Sequence, residues 1–117
     1  MVIDPSFADA RPTSTRSWFI AAPSITGLNY LNTSEVTDMS HMFAFFKQAS
    51  LDLSHFITDK VTNMRCMFYG CNSLESLDLS NFNTEKVTDM QQMFYSCENL
   101  TSVDLSSFNT AKVTDFS

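Results

Sequence analysis

Repeated Asp and Ser residues are the side chains whose types and spacing could bind a charged partner. Asp52, Asp78 and Asp104 recur at 26-residue intervals. A Ser lies two positions before and after each Asp, at Ser50, Ser54, Ser76, Ser80, Ser102 and Ser106. Carboxylates flanked by hydroxyls could contact a basic protein surface, or a hard cation such as Ca²⁺, which prefers oxygen ligands. The alternative is that the Asp side chains only accept hydrogen bonds from neighbouring Ser hydroxyls or backbone groups.

The cysteines and histidines give weaker indications. Cys71 and Cys97 are also 26 residues apart, and both a disulfide and the packing of two free thiols are open for them. Cys66 and His41 are expected on the outward side of the repeat, with Cys66 an exposed free thiol. A metal site or a nucleophile and base pair at these two residues would lack further ligands or an orienting group. His55 is expected to be a polar surface residue.

No sequence motif of an enzyme is present. With glycine only at Gly27 and Gly70, neither a phosphate-binding loop nor a dinucleotide fingerprint can be written. A nucleophile elbow and an HExxH motif are also missing. We therefore predict that the chain is not an enzyme and requires no cofactor.

The bulk composition narrows the choice of partners. The net charge is -6 and the seven Lys and Arg residues are scattered, which argues against nucleic acid because phosphate binding needs clustered basic residues. No run of apolar residues approaches the length of a membrane span, and the N-terminus does not resemble a signal peptide.

The positions of these residues follow from an internal repeat. Leu53, Leu79 and Leu105 are 26 residues apart, in LDLSHF, LDLSNF and VDLSSF. A second landmark has the same spacing, because Val61, Val87 and Val113 begin VTNM, VTDM and VTDF. Self-similarity at such a period is typical of a solenoid, in which successive turns stack.

Two kinds of periodicity alternate within each turn. Leu77 and Leu79 alternate with polar residues as in a strand with one buried face. From Val87 onwards the apolar residues recur at steps of three, one and three, which favours a short helix or 3₁₀ turns, with Thr88 and Gln91 fitting a capping box. A strand, helix and parallel strand wind right-handed in nearly all cases. The predicted fold is therefore an α/β right-handed solenoid, with a short parallel sheet on one face and short helices or 3₁₀ turns on the other.

The repeat also predicts the organisation of the chain. Residues 1–24 do not follow it and are expected to form an N-terminal cap. Residues 25–117 comprise a lead-in at 25–35, turns at about 36–60, 61–86 and 87–112, and a partial turn at 113–117. Columns of Phe and Met are expected to form the core, at Phe43, Phe68, Phe94, Met42, Met67 and Met93. An apolar end around Val113 and Phe116 would promote self-association.

The spacing LxxLxLxxF resembles a leucine-rich repeat. The longer units DKVTNMRCMFYGCNSLESLDLSNF and NTEKVTDMQQMFYSCENLTSVDLSSF are similar to the BspA-like repeat of bacterial surface proteins. That resemblance implies a secreted or surface-anchored bacterial array, with members implicated in adhesion and in binding host proteins, and no catalytic residue. One turn departs from the pattern, because AFFKQASLDL replaces FYGCNSLESLDL and is one residue shorter.

These observations lead to two hypotheses on function. The first is a non-catalytic module of a bacterial surface or secreted protein, which adheres to a host extracellular protein through the outward residues of the strands. The second is a structural spacer with no ligand of its own. Either would place the protein outside the cell or on its surface, with signal and anchor not present in this sequence.

Overall fold

A computed structural model of the chain describes residues 2–108, except for the side chains of Phe7 and Ala8. The regular elements in this range are two 3₁₀ helices, Pro5–Asp9 and Leu28–Tyr30, and two strands, β1 (Ser76–Asp78) and β2 (Ser102–Asp104). None of the helices within 2–108 is long and apolar enough to cross a bilayer. The predicted partial turn at 113–117, with Val113 and Phe116, lies outside the described residues.

Four stretches of the chain, at 13–22, 37–46, 62–71 and 88–97, stack side by side, and we call them the coil segments. Isolated parallel bridges join Ser14 to Asp38, Asp38 to Asn63, and Asn63 to Asp89. Every second residue then donates its backbone N–H to a carbonyl of the next segment. Between the second and third segments, for example, the N–H groups of His41, Phe43 and Phe45 donate to Arg65, Met67 and Tyr69 over 2.9, 2.9 and 2.7 Å.

The coil segments are chains of overlapping β-turns, not helices. The N–H groups of Met42, Ala44 and Phe46 donate to the carbonyls three residues earlier, over 3.2, 3.2 and 3.0 Å. His41 and Phe45 have φ of +58° and +60°, which no α-helix accommodates. The apolar stripe predicts the buried side correctly, but the helix or 3₁₀ run expected from it does not form. A segment this short gains little as a helix, and its N–H groups find acceptors in the adjacent segment.

The predicted capping box also serves another purpose. The hydroxyl and N–H of Thr88 both donate to the carbonyl of Thr62 in the preceding segment, over 3.3 and 2.9 Å. The N–H of Gln91 donates to the carboxylate of Asp89 at 2.9 Å. These residues therefore join segments and fix a turn.

The first coil segment lies within the expected N-terminal cap, residues 1–24. Thr15 and Phe19 donate to Asp38 and Met42 over 3.0 Å each, as the later segments do. Ahead of it, Ile3 donates to Thr26 at 2.8 Å, and the 3₁₀ helix Pro5–Asp9 contacts Leu28–Tyr30. Residues 13–22 thus pair with the repeats, whereas residues 2–9 pack beside the lead-in.

Aromatic ladders run through the core. Phe19, Phe43, Phe68 and Phe94 stack with ring centroids 5.6, 5.8 and 5.7 Å apart. Phe56, Phe82 and Phe108 form a second ladder with spacings of 6.4 and 6.5 Å. Phe43, Phe68, Met42, Met67 and Met93 are buried and Phe94 is partly buried. The predicted core columns are confirmed.

The strand side is less regular than the coil segments. β1 and β2 are parallel, with Ser76 beside Ser102, Leu77 beside Val103 and Asp78 beside Asp104. The equivalent residues 50–52 are not in a strand, although Leu53 is buried. The sheet in the described part of the chain therefore has two strands of three residues, where the sequence suggested about four strands.

Candidate functional site

The nine Asp and Ser residues predicted to face outward from the strands lie at the surface, and we call them the strand face. They are Ser50, Asp52, Ser54, Ser76, Asp78, Ser80, Ser102, Asp104 and Ser106. The pairing of β1 with β2 brings Asp78 and Asp104 into register. Ser50 and Asp52 do not join this pairing, so the structure forms the predicted row completely only across two turns.

Each strand-face Asp accepts hydrogen bonds from the Ser two residues later. The Oδ1 atoms of Asp52, Asp78 and Asp104 lie 3.0, 2.9 and 2.9 Å from the backbone N of that Ser. These side-chain and backbone hydrogen bonds lower the pKa of all three carboxyls, while the charge of Asp104 partly opposes the effect at Asp78. The strand face therefore carries three ionised carboxylates at neutral pH.

The same turn occurs at the start of three coil segments. The Oδ1 atoms of Asp38, Asn63 and Asp89 each lie 2.9 Å from the backbone N two residues later. Because Asn63 makes the turn as Asp does, the turn needs a side-chain oxygen but no charge. The local role predicted for the strand-face Asp residues is thus present, and their role as protein contacts remains a prediction.

A shallow depression lies at the end of β1. Asp52, Ser54, Asp78, Ser80 and Asn81 line it together with Leu51 and Leu53, and its volume is about 150 Å³. Nowhere between residues 2 and 108 do three or more His, Cys, Asp or Glu side chains come together in a group that could hold a metal ion.

Polar residues after the strands connect successive turns, a role that the sequence interpretation missed. The Nδ2 of Asn81 donates to the carbonyls of Leu53, Ser54 and Phe56 over 3.0, 3.3 and 3.1 Å. At equivalent positions, His55 Nε2 lies 2.8 Å from Leu28 O, and Ser107 Oγ donates to Leu79 O at 3.0 Å. His55 is therefore a linking residue and not merely a polar surface residue. The available signal was a polar residue directly before each Phe of the second ladder.

Buried threonines provide a second link. The hydroxyl of Thr33 donates to Ile57 O at 2.8 Å and accepts from Ile57 N at 2.9 Å. Thr58 makes the same pair with Asn83, over 2.9 and 2.8 Å. A side-chain hydroxyl thus replaces a backbone hydrogen bond where the chain turns away from its neighbour.

The cysteines are free thiols, and one prediction about them is wrong. Cys66 is only 4 % exposed, because the side chain at this position turns under Gln92, whose Oε1 lies 3.9 Å from the sulfur. Cys71 and Cys97 place their sulfurs 3.1 and 3.0 Å from the carbonyl oxygens of Phe43 and Phe68. The choice between disulfide and packing is thus answered by packing in this structure.

Cys71 and Cys97 nevertheless differ in their acidity. The pKa of Cys71 is raised by its hydrogen bond with the Cys97 side chain and by burial, whereas that same bond lowers the pKa of Cys97 to about 7. Since the thiolate is the reactive form, Cys97 is the more reactive thiol of the pair.

A groove on the coil segments was not anticipated from the sequence. It has a volume of about 300 Å³, and we call it the aromatic groove. Its lining residues are His41, Phe45, Arg65, Cys66, Tyr69 and Gln92. The ring of Phe45 meets Tyr69 edge-on at 5.5 Å, and Tyr69 stacks on Tyr95 at 5.2 Å. The repeated aromatic residue after each core Phe was the available signal, in FYG and FYS.

Comparison with known proteins gives one family. The sequence model of a family described as "Mycoplasma protein of unknown function, DUF285" matches residues 13–117. The matched range begins where the first coil segment begins. No curated protein and no solved structure matches the chain.

Proposed function

Since the chain belongs to the DUF285 family, a bacterial family of unknown function, we propose that it is a non-catalytic protein-binding module of a bacterial surface or secreted protein. The proposed contact is the strand face, and the proposed partner is a host extracellular protein with a basic surface. The similarity of the repeat units to BspA-like surface repeats supports this proposal.

One structural observation carries the proposal. The register of β1 and β2 places exposed, ionised Asp78 and Asp104 side by side. Like charges directly opposite each other in a sheet are destabilising, so the arrangement has a cost in the free protein that a basic partner would remove.

The proposed architecture behind this surface is a right-handed, leucine-rich-repeat-like solenoid. Support comes from the three bridges between successive coil segments, each of which is parallel. Repeat arrays of this kind use extended surfaces to bind partners.

A structural spacer is the alternative function, and a different observation favours it. Each strand-face Asp has a hydrogen-bond donor from its own turn, so its presence is accounted for without a ligand.

A panel of host extracellular proteins tests the two functions. The chain is compared with the triple variant Asp52→Asn, Asp78→Asn and Asp104→Asn, which keeps the turn because Asn63 makes it naturally. A binding module predicts at least one partner, with affinity reduced tenfold or more in the triple variant. If the panel shows no partner, or if the variant binds equally well, the strand face is not the contact and the spacer is favoured.

A further inference from the structure

The aromatic groove has the composition of an interface centre, unlike the strand face. Phe45 and Tyr95 are 45 % and 54 % exposed, and the two side chains flank Tyr69. Tyr and Arg are enriched among the residues that dominate binding energy, whereas Ser and Asp are depleted in interface centres. Exposed aromatic side chains that contact one another and an Arg therefore indicate a protein-binding surface.

Phe45 shapes the groove at a conformational cost. At the equivalent position the other segments have Ala21, Gly70 and Ser96, all with positive φ. A large side chain rarely adopts this conformation. The ring of Phe45 covers Gly70 so closely that a Cβ built there would lie 2.6 Å from it. Strained residues of this kind cluster at functional sites.

The charge around the groove is opposite in sign to that of the whole chain. Arg65 lines it, His41 lies beside it, and no carboxylate is among its lining residues. Arg16 has the position equivalent to Arg65 in the first coil segment and is exposed as well. The one ion pair within residues 2–108 joins Lys60 to Glu35, so neither Arg16 nor Arg65 has a carboxylate partner there. A partner for this surface must bring its own negative charge.

We propose that the aromatic groove binds an acidic segment of a protein partner. An aromatic or aliphatic side chain of the segment would pack between Phe45 and Tyr69, and a neighbouring carboxylate would pair with the guanidinium of Arg65. The inference rests on the proposed function, since it assumes a protein-binding module, but it assigns the contact to the coil segments.

A library of random 12-residue peptides displayed on phage, selected against the folded chain, provides the probe. The proposal predicts that selected peptides combine Asp or Glu with an aromatic or aliphatic residue. A synthetic copy of one such peptide should bind Arg65→Glu and Tyr69→Ala at least tenfold more weakly than the unchanged chain, and more weakly as salt is raised.

Lys86→Glu is the matched control, because it makes the same change in net charge at an exposed position outside the groove. Equal thermal midpoints for Arg65→Glu and Lys86→Glu show that both are folded. Equal peptide affinities for the two variants overturn the proposal, as do selected peptides without acidic residues. Failure to select any peptide also overturns it.

The strand-face triple variant separates this failure from that of the proposed function. Peptide binding that is lost in the triple variant and kept in Arg65→Glu overturns the groove and supports the strand face. Binding lost in Arg65→Glu alone supports the groove.

Discussion

The coil segments and the strand side of each repeat differ in how successive turns are joined. Four coil segments are linked by alternating backbone hydrogen bonds at every junction, whereas the strand side has one three-residue pair. The shorter turn explains the difference. Its missing residue lies between Ala49 and Leu51, directly before the unpaired residues 50–52, while β1 and β2 come from turns of equal length. Backbone pairing therefore depends on equal spacing, but the stacking of buried side chains tolerates the loss.

The largest predicted effect tests this difference in the core. Phe68 and Phe82 are both fully buried, one in the ladder of the coil segments and one in the second ladder. We expect Phe68→Ala to lower the free energy of unfolding by about 4–5 kcal/mol and Phe82→Ala by about 3–4 kcal/mol. The first cavity should collapse less, because the backbone around Phe68 is held by hydrogen bonds on both sides.

Urea denaturation of both variants provides the measurement. Phe45→Ala, which removes an exposed ring, serves as the control for loss of an aromatic side chain. A greater loss in Phe82→Ala than in Phe68→Ala would show that the strand side is the more rigid of the two.

Side-chain links on the strand side should have the next largest effect. Asn81→Ala removes three donated hydrogen bonds and leaves backbone carbonyls without these partners. We expect a loss of about 2–3 kcal/mol in unfolding free energy, measured by the same urea titration. Asn81→Ser should recover part of this loss, because Ser107 keeps one such bond at the equivalent position.

The control is Asn99→Ala, which removes a single exposed hydrogen bond to the Asn72 carbonyl. Its expected cost is below about 1 kcal/mol. If the two alanine variants lose equal stability, the three bonds of Asn81 do not hold the strand side together.

A smaller effect is expected where the coil segments require glycine. Gly70 has φ of +69°, and an added Cβ would contact the ring of Phe45. Gly70→Ala should lower stability by about 1–2 kcal/mol, from the left-handed backbone and the displaced ring together. Combining it with Phe45→Ala should restore the part that is due to the ring. Additive effects of the two substitutions would mean that the ring moves aside at no cost.

The sequence was sufficient to predict the core but not the path of the backbone. The Phe and Met columns follow directly from the repeat, because each repeat buries the same side. The apolar spacing after Val87 cannot distinguish a helix from overlapping turns, since both bring residues three apart to one side. The decisive contacts, such as His41 N–H to Arg65 O, join residues whose alignment becomes known only when the turns stack.

The candidate sites differ in the same way. The strand-face Asp residues are visible in the sequence because they recur, and their Ser partners lie two residues away. The aromatic groove depends on Phe45, which departs from the repeat, and on contacts between different segments. A search for recurring residues therefore finds the strand face and misses the groove.

The smallest predicted effect concerns the acid stability of the strand side. The pKa values of Asp52, Asp78 and Asp104 are lowered in the folded chain relative to 3.8. The carboxylates therefore stabilise the fold above the unfolded pKa, and this contribution is lost as pH falls through the lower folded values. The thermal midpoint should fall less between pH 5 and pH 2.5 in the Asp52→Asn, Asp78→Asn, Asp104→Asn variant than in the unchanged chain. Parallel pH profiles would contradict the prediction, and would mean that Ser hydrogen bonds to these carboxylates stabilise the charged and neutral forms equally.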